Sequence, residues 1–168
     1  KVLYRGTLIN YNLTGCVGQA MLRSWLARLT LCPVALDLNP AFPTRNDRHC
    51  WSVMIDNRQV NSIQRLAFEV NKQGKIYRQT FTRNPAPDTG KSEYIPPFFR
   101  SPFYRDVTSC YTRVKDVPVT PLKPVSVTYG YLSVFNNLKW EPVAYAGPRE
   151  GRFLFKDVGC GIVYLPLI

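Results

Sequence analysis

The sequence predicts a mainly β protein with antiparallel strands and one helix near the N-terminus. Short aliphatic and aromatic segments recur between turn residues along most of the chain. Fourteen prolines interrupt segments that could otherwise continue as helices. The regular alternation of strand and helix that marks parallel α/β proteins is missing. These three observations favour a sandwich or barrel of antiparallel strands.

The N-terminal third contains the predicted helix. Residues 1–13 begin with an aliphatic, β-branched run that predicts a strand. A helix follows over about 17–31, and Pro33 ends it because the residue before a proline avoids the α region. Its apolar residues recur at spacings of three and four, which predicts a stripe packed on the core. The stripe consists of Val17, Ala20, Met21, Trp25 and Leu29.

The next segment predicts a loop, a short strand and a hairpin. Prolines and Asn or Asp residues favour a loop over 33–50, and the strand follows at 51–55. Residues 63–70 and 75–82 then read as the two arms of a β-hairpin. Gly74 between them can adopt the positive φ that a short hairpin loop needs.

The C-terminal half predicts further strands after a proline-rich loop at 84–102. These strands alternate with turns, and Pro142 predicts that one of them is an edge strand or carries a bulge. The predicted strands cover 108–114, 125–135, 138–145, 152–155 and 162–165. Since no segment separates two self-sufficient halves, residues 1–168 are predicted to form a single β-rich domain.

Several classes of function are disfavoured by the sequence. No apolar run is long enough for a membrane-spanning helix. The five cysteines lie at least sixteen residues apart, so no C-x₂₋₄-C zinc pair occurs, and we interpret them as reduced and buried. No glycine-rich phosphate loop is present. We therefore predict no metal, no cofactor and no membrane span.

Catalytic residues are also not predicted. His49 is the only histidine, so any imidazole chemistry would depend on it. The acidic residues are scattered, and a hydrolase would need Asp37, Asp56, Glu69 and Glu93 to converge in space. A hydrolase using these carboxylates or His49 is therefore the most distant alternative, and the chain is predicted not to be an enzyme.

Charge and aromatic residues point instead to nucleic acid. The chain carries a net charge of +11, and residues 61–115 hold ten Lys and Arg against four acidic residues. Rings that stack on bases beside guanidinium groups that contact phosphates are typical of single-stranded nucleic-acid binding. We predict non-specific contacts through phosphates. The predicted binding residues are Arg78, Arg83, Arg100, Arg105 and Arg113, with Phe98, Phe99 and Tyr104 as stacking rings.

A basic β domain of this kind, rich in proline and aromatic residues, resembles the single jelly roll of small viral capsid proteins. The resemblance extends over the whole chain in composition and strand rhythm. It implies an antiparallel β-sandwich or jelly roll that forms homo-oligomers, with a basic surface facing the genome in a virion or inside a cell. A capsid-like structural protein is thus the first prediction, and a monomeric module that binds single-stranded nucleic acid is the alternative.

Overall fold

The fold is mainly β, as the sequence predicts. The computed structural model describes residues 15–55, 60–62, 72–88 and 93–168. Strands account for 40% of it and helices for 16%, and all strand pairs are antiparallel. Among these residues the single α-helix is α1, Cys16–Leu29. The predicted strand in residues 1–13 lies outside the described residues.

The helix packs on the sheet through two small residues, of which Ala20 belongs to the predicted stripe and Ser24 does not. Its buried residues are Ala20 and Ser24. The Ser52 hydroxyl donates a 2.7 Å hydrogen bond to the carbonyl oxygen of Ala20, and the Ser24 hydroxyl donates to Ser52. Val17 and Leu29 are 51% and 80% exposed, so the expectation that the whole stripe is buried is wrong. Small side chains allow a closer approach of helix to sheet than the large ones would.

The first sheet has five strands in the order β3-β2-β1-β4-β5. Its strands are β1 (Val34–Asn39), β2 (His49–Ile55), β3 (Val60–Ser62), β4 (Tyr77–Gln79) and β5 (Tyr104–Asp106). Short 3-10 turns flank β5, one at Pro97–Arg100 and one at Thr108–Cys110. The strand predicted at 108–114 is therefore largely wrong, because the next strand begins at Val114.

The second arm of the predicted hairpin pairs with strands other than the predicted one. Residues 77–79 do form a strand, but β4 pairs with β1 on one side and with β5 on the other. Both of its edges are therefore occupied by strands distant in sequence. The first predicted arm, 63–70, lies outside the described residues.

The C-terminal part consists of two three-stranded sheets, in the orders β6-β10-β9 and β11-β7-β8. Their strands are β6 (Val114–Val119), β7 (Gly130–Asn136), β8 (Lys139–Ala146), β9 (Pro148–Arg149), β10 (Arg152–Gly159) and β11 (Leu165–Leu167). β8 is an edge strand whose register shifts next to Pro142, which confirms the prediction from that proline.

The main core lies between these two sheets. Leu132, Ala144 and Ala146 on one sheet pack in one cluster with Phe153 and Phe155 on the other, and all are buried. Each large apolar side chain that is buried stabilises the fold by about 1.5–3 kcal/mol. The two sheets therefore form a sandwich-like pair.

Hydrogen bonds also join the five-stranded sheet to the C-terminal sheets. The Tyr77 hydroxyl donates to the carbonyl oxygen of Val143 at 2.7 Å. The buried ammonium group of Lys75 donates to the carbonyl oxygens of Lys156 and Asp157 and to the carboxylate of Asp106. These contacts position the two parts against each other. Among the described residues, no helix has the length and apolar character needed to cross a membrane.

Candidate binding cleft

A cleft of about 560 Å³ lies between β4 and β5 on one side and β8 and β10 on the other. Four of the eight predicted binding residues line it: Phe98, Phe99, Tyr104 and Arg105. The structure thus brings together the rings and one guanidinium of the segment that the sequence singled out. The remaining walls come from strands far along the chain.

Phe98 and Tyr104 form the aromatic wall of the cleft. Their rings stack at 4.7 Å between centroids with an interplanar angle of 14°. Pro97 begins the 3-10 turn that carries Phe98, since its fixed φ suits a helical first turn. The Arg100 guanidinium donates to the carbonyl oxygen of Ile95 at 2.9 Å and fixes the same turn. Both residues are half-buried, so part of each remains in contact with solvent.

Phe99 belongs to the core behind this wall. It is 4% exposed, and its ring centroid lies 6.1 Å from that of Tyr131 and 5.2 Å from that of Tyr145. A ring enclosed in this way has no face for a base to stack on. The prediction that Phe99 stacks on nucleic acid is therefore corrected: Phe99 supports the wall and holds it to the C-terminal sheet.

The prediction that Arg78 contacts phosphate is also corrected, because Arg78 is an interior residue of the sheet. Its guanidinium forms two 2.7 Å hydrogen bonds with the Asp37 carboxylate, and its side chain is 7% exposed. Asp37 accepts a further hydrogen bond from the Tyr111 hydroxyl. The hydrogen bond that Arg78 donates to the Asp37 carboxylate raises the pKa of Arg78 above its ordinary value. Arg78 thus neutralises a buried carboxylate and does not reach a surface phosphate.

The other predicted arginines are exposed, and one of them lines the cleft. Arg105 lines the cleft, whereas Arg83, Arg100 and Arg113 do not. Arg113 lines a separate cavity. Of the five arginines predicted to contact phosphate, Arg105 is the one that the structure places beside the aromatic wall.

Two basic residues of the cleft were missed by the sequence analysis. Arg149 and Lys156 are exposed and line it from β9 and β10. They belong to residues 116–168, where basic and acidic residues nearly balance, so no local charge signal indicated them. Lys75 also lines the cleft, but Asp106 neutralises it. With Asp157 the only other acidic lining residue among those described, the cleft keeps an excess of positive charge.

The tyrosines of the cleft are neutral hydrogen-bonding groups. Burial raises the pKa of Tyr77, Tyr104 and Tyr145 above that of free tyrosine. The Tyr145 hydroxyl donates to the carbonyl oxygen of Pro85 at 2.9 Å. Their phenol groups are therefore uncharged at neutral pH, and the cleft places neutral rings beside basic side chains.

The catalytic alternatives receive no geometric support from the described residues. Burial raises the pKa of Cys50 to about 11, while burial and Arg45 lower the pKa of the adjacent His49. Both shifts act against a thiolate–imidazolium pair. Asp37 is bound to Arg78, and Glu93 accepts the backbone N–H of Thr128.

No group of three or more metal-binding side chains occurs in the part of the chain that is described. Asp56 and Glu69, which the distant hydrolase alternative would use, lie outside it.

No known protein family, curated protein or solved structure matches the chain.

Proposed function

We propose that this chain is a non-catalytic binding module whose cleft binds single-stranded nucleic acid without sequence preference. The supporting observation is the stacked pair Phe98 and Tyr104 beside the exposed side chains of Arg105, Arg149 and Lys156. Rings next to basic side chains on one surface match the two parts of a single-stranded polynucleotide, the bases and the phosphates.

The two parts of the cleft have different roles in this proposal. A base stacked on Tyr104 or Phe98 contributes about 1–3 kcal/mol, and every base has a flat face that suits the wall. The basic side chains contact phosphates, release counterions and carry no sequence information. The described cleft offers few amide or carboxylate side chains to read base edges, which is the reason to expect no sequence preference.

The salt dependence of binding tests the basic side chains. Fluorescence anisotropy with a labelled oligothymidylate measures the affinity at several salt concentrations. The triple variant Arg105→Ala, Arg149→Ala, Lys156→Ala should bind more weakly, and the slope of log K against log salt should flatten by about 2, since each lost contact on a single strand removes about 0.7.

A matched control removes the same charge elsewhere. Arg83, Arg113 and Lys115 are exposed and lie outside the cleft, and replacing all three by alanine should leave the slope close to that of the parent. Equal losses in both triple variants would show that binding depends on net charge alone, and the cleft would then not be the binding surface.

The ring contribution is tested separately. Tyr104→Leu keeps an apolar side chain but removes the stacking face, and should weaken binding by about tenfold, within the range measured for single stacking contacts. Tyr94 is exposed and lies outside the cleft, so Tyr94→Leu is the control. Unchanged affinity in a folded Tyr104→Leu variant would contradict the stacking role.

Capsid-like assembly is a separate prediction, since it concerns contacts between copies of the chain. Light scattering after size-exclusion chromatography measures it directly. Large closed assemblies would support the capsid-like structural role, whereas a monomer that binds oligothymidylate would support the module alone.

A further inference from the structure

Two cysteines distant in sequence share a second cavity. This cavity, of about 540 Å³, is lined by Cys110, Arg113 and Cys160 among others. The 3-10 turn Thr108–Cys110 packs directly on β10, the strand that precedes Cys160. All five cysteines are free thiols, and this pair shares a cavity outside the binding cleft.

Backbone hydrogen bonds hold both cysteines at this cavity. The Cys160 N–H donates to the carbonyl oxygen of Arg113 at 3.0 Å, next to the pairing of Gly159 with Val114. On the other side, the Cys110 N–H donates to Val107, so the chain curls instead of extending away. Cys110 therefore returns towards the end of β10, where Cys160 lies.

The pair also differs from Cys50 in access to solvent. Cys110 is exposed and Cys160 is half-buried, whereas Cys50 is buried with a pKa of about 11. The earlier interpretation of the cysteines as buried is thus wrong for Cys110. Oxidants modify thiols that they can reach, which makes Cys110 the first point of attack in this cavity.

We propose that Cys110 and Cys160 are a redox-active pair that closes to an intramolecular disulfide when a hydroperoxide is present. The Cys110 sulfur attacks one peroxide oxygen, the O–O bond breaks, and a sulfenic acid and one water form. The Cys160 sulfur then attacks the Cys110 sulfur, the S–O bond breaks, and the second water leaves. Both thiol protons end in the two waters, and hydrogen peroxide accepts the two electrons.

The disulfide would join the two parts of the molecule covalently. Cys110 follows β5 of the five-stranded sheet, and Cys160 follows β10 of a C-terminal sheet. The bond would close a long loop, which restricts the unfolded chain and raises the midpoint of thermal unfolding.

Mass spectrometry of the full chain treated with hydrogen peroxide tests this inference. The intact mass should fall by about 2 Da, the mass of the two hydrogens lost on forming one disulfide. A non-reducing peptide map should link the peptides that contain Cys110 and Cys160, and dithiothreitol should restore the original mass. An unchanged mass, a link between other cysteines, or links between chains only would overturn the proposal.

Serine variants assign the two steps. Cys110→Ser and Cys160→Ser should each abolish the mass loss, while Cys32→Ser, a half-buried cysteine that does not line this cavity, should keep it. In Cys160→Ser the sulfenic acid on Cys110 should persist and react with dimedone. A dimedone adduct found elsewhere, or none, would contradict the role of Cys110 as the attacking thiol.

Discussion

Lys75 donates a 2.8 Å hydrogen bond from its ammonium group to the carbonyl oxygen of Lys156, on a strand of a different sheet. The next carbonyl, that of Asp157, accepts a second hydrogen bond at 3.1 Å. Consecutive carbonyls of a regular strand point to opposite edges, but the register of β10 shifts between Phe155 and Val158. This irregularity turns both oxygens towards the same ammonium group, and the Asp106 carboxylate accepts the third hydrogen bond from that group.

Replacing Lys75 should therefore destabilise the fold strongly. Lys75→Met leaves the carbonyl oxygens of Lys156 and Asp157 without their donor, and each acceptor left unsatisfied costs about 1–3 kcal/mol. Equilibrium unfolding in urea measures the loss. Lys156→Met, at an exposed position of β10, is the control and should change the free energy of unfolding by less than about 0.5 kcal/mol. Similar values for both variants would contradict the role of Lys75.

Gly159 should tolerate no larger side chain. A Cβ atom there would lie 1.8 Å from the carbonyl oxygen of Gln73, which is backbone and cannot move aside alone. Gly159→Ala should unfold at clearly lower temperature or fail to fold, as measured by circular dichroism. Gly147→Ala is the matched control, because its nearest atom would be at 3.6 Å, an ordinary contact. Equal melting temperatures for the two variants would contradict the tight approach at Gly159.

Arg78 and Arg105 should separate stability from binding. The two residues are register partners on β4 and β5, but Arg78 is buried against Asp37 while Arg105 is exposed in the cleft. Arg78→Ala should cost about 3–5 kcal/mol of stability, since the fully buried Asp37 carboxylate loses its counterion. Arg105→Ala should cost little stability and weaken oligothymidylate binding. Urea unfolding measures the stability of both variants, and anisotropy measures their binding. A stability loss in Arg105→Ala with a binding loss alone in Arg78→Ala would contradict the prediction.

His49 should make stability depend on pH in the weakly acidic range. Its ring lies between Phe42 and Trp51, and burial followed by Arg45 lowers its pKa from 6.5. The unfolded chain then binds a proton more readily than the folded one. The contribution of His49 is full above pH 6.5 and is lost as pH falls from there through the lowered pKa.

A single histidine makes this test direct. An NMR titration of the His49 ring protons should give a midpoint below 6.5 in the folded protein. The free energy of unfolding should fall between pH 7 and the measured midpoint, and His49→Gln should remove that part of the dependence. A midpoint at or above 6.5 would contradict the burial of the ring.

The helix and the charged residues show how far the sequence could lead. The three-to-four spacing of apolar residues and Pro33 predicted the helix correctly, because both act locally. Which side is buried depends on the neighbour: Ser52 on β2 favours contact with Ala20 and Ser24 over the large residues. The fold class follows from local patterns, whereas the packed face of an element does not.

The residues of the cleft were likewise predicted only in part. The basic and aromatic segment predicted one wall, with Phe98, Tyr104 and Arg105. The burial of Arg78 depends on Asp37, a residue 41 positions away that no local pattern connects to it. Arg149 and Lys156 reach the cleft only because β10 packs beside Lys75. Long-range pairing, which a single sequence does not display, determined these positions.

The bond between Lys75 and β10 has a consequence for the order of synthesis. The ribosome produces Lys75 and its neighbour Asp106 well before residues 156–159. Until those residues emerge, the ammonium group lacks two of its acceptors, and the segment around Lys75 has no bond to β10. The five-stranded sheet therefore cannot reach its final packing during early translation. A nascent chain halted before β10 would leave the segment around Lys75 accessible to chaperones and proteases.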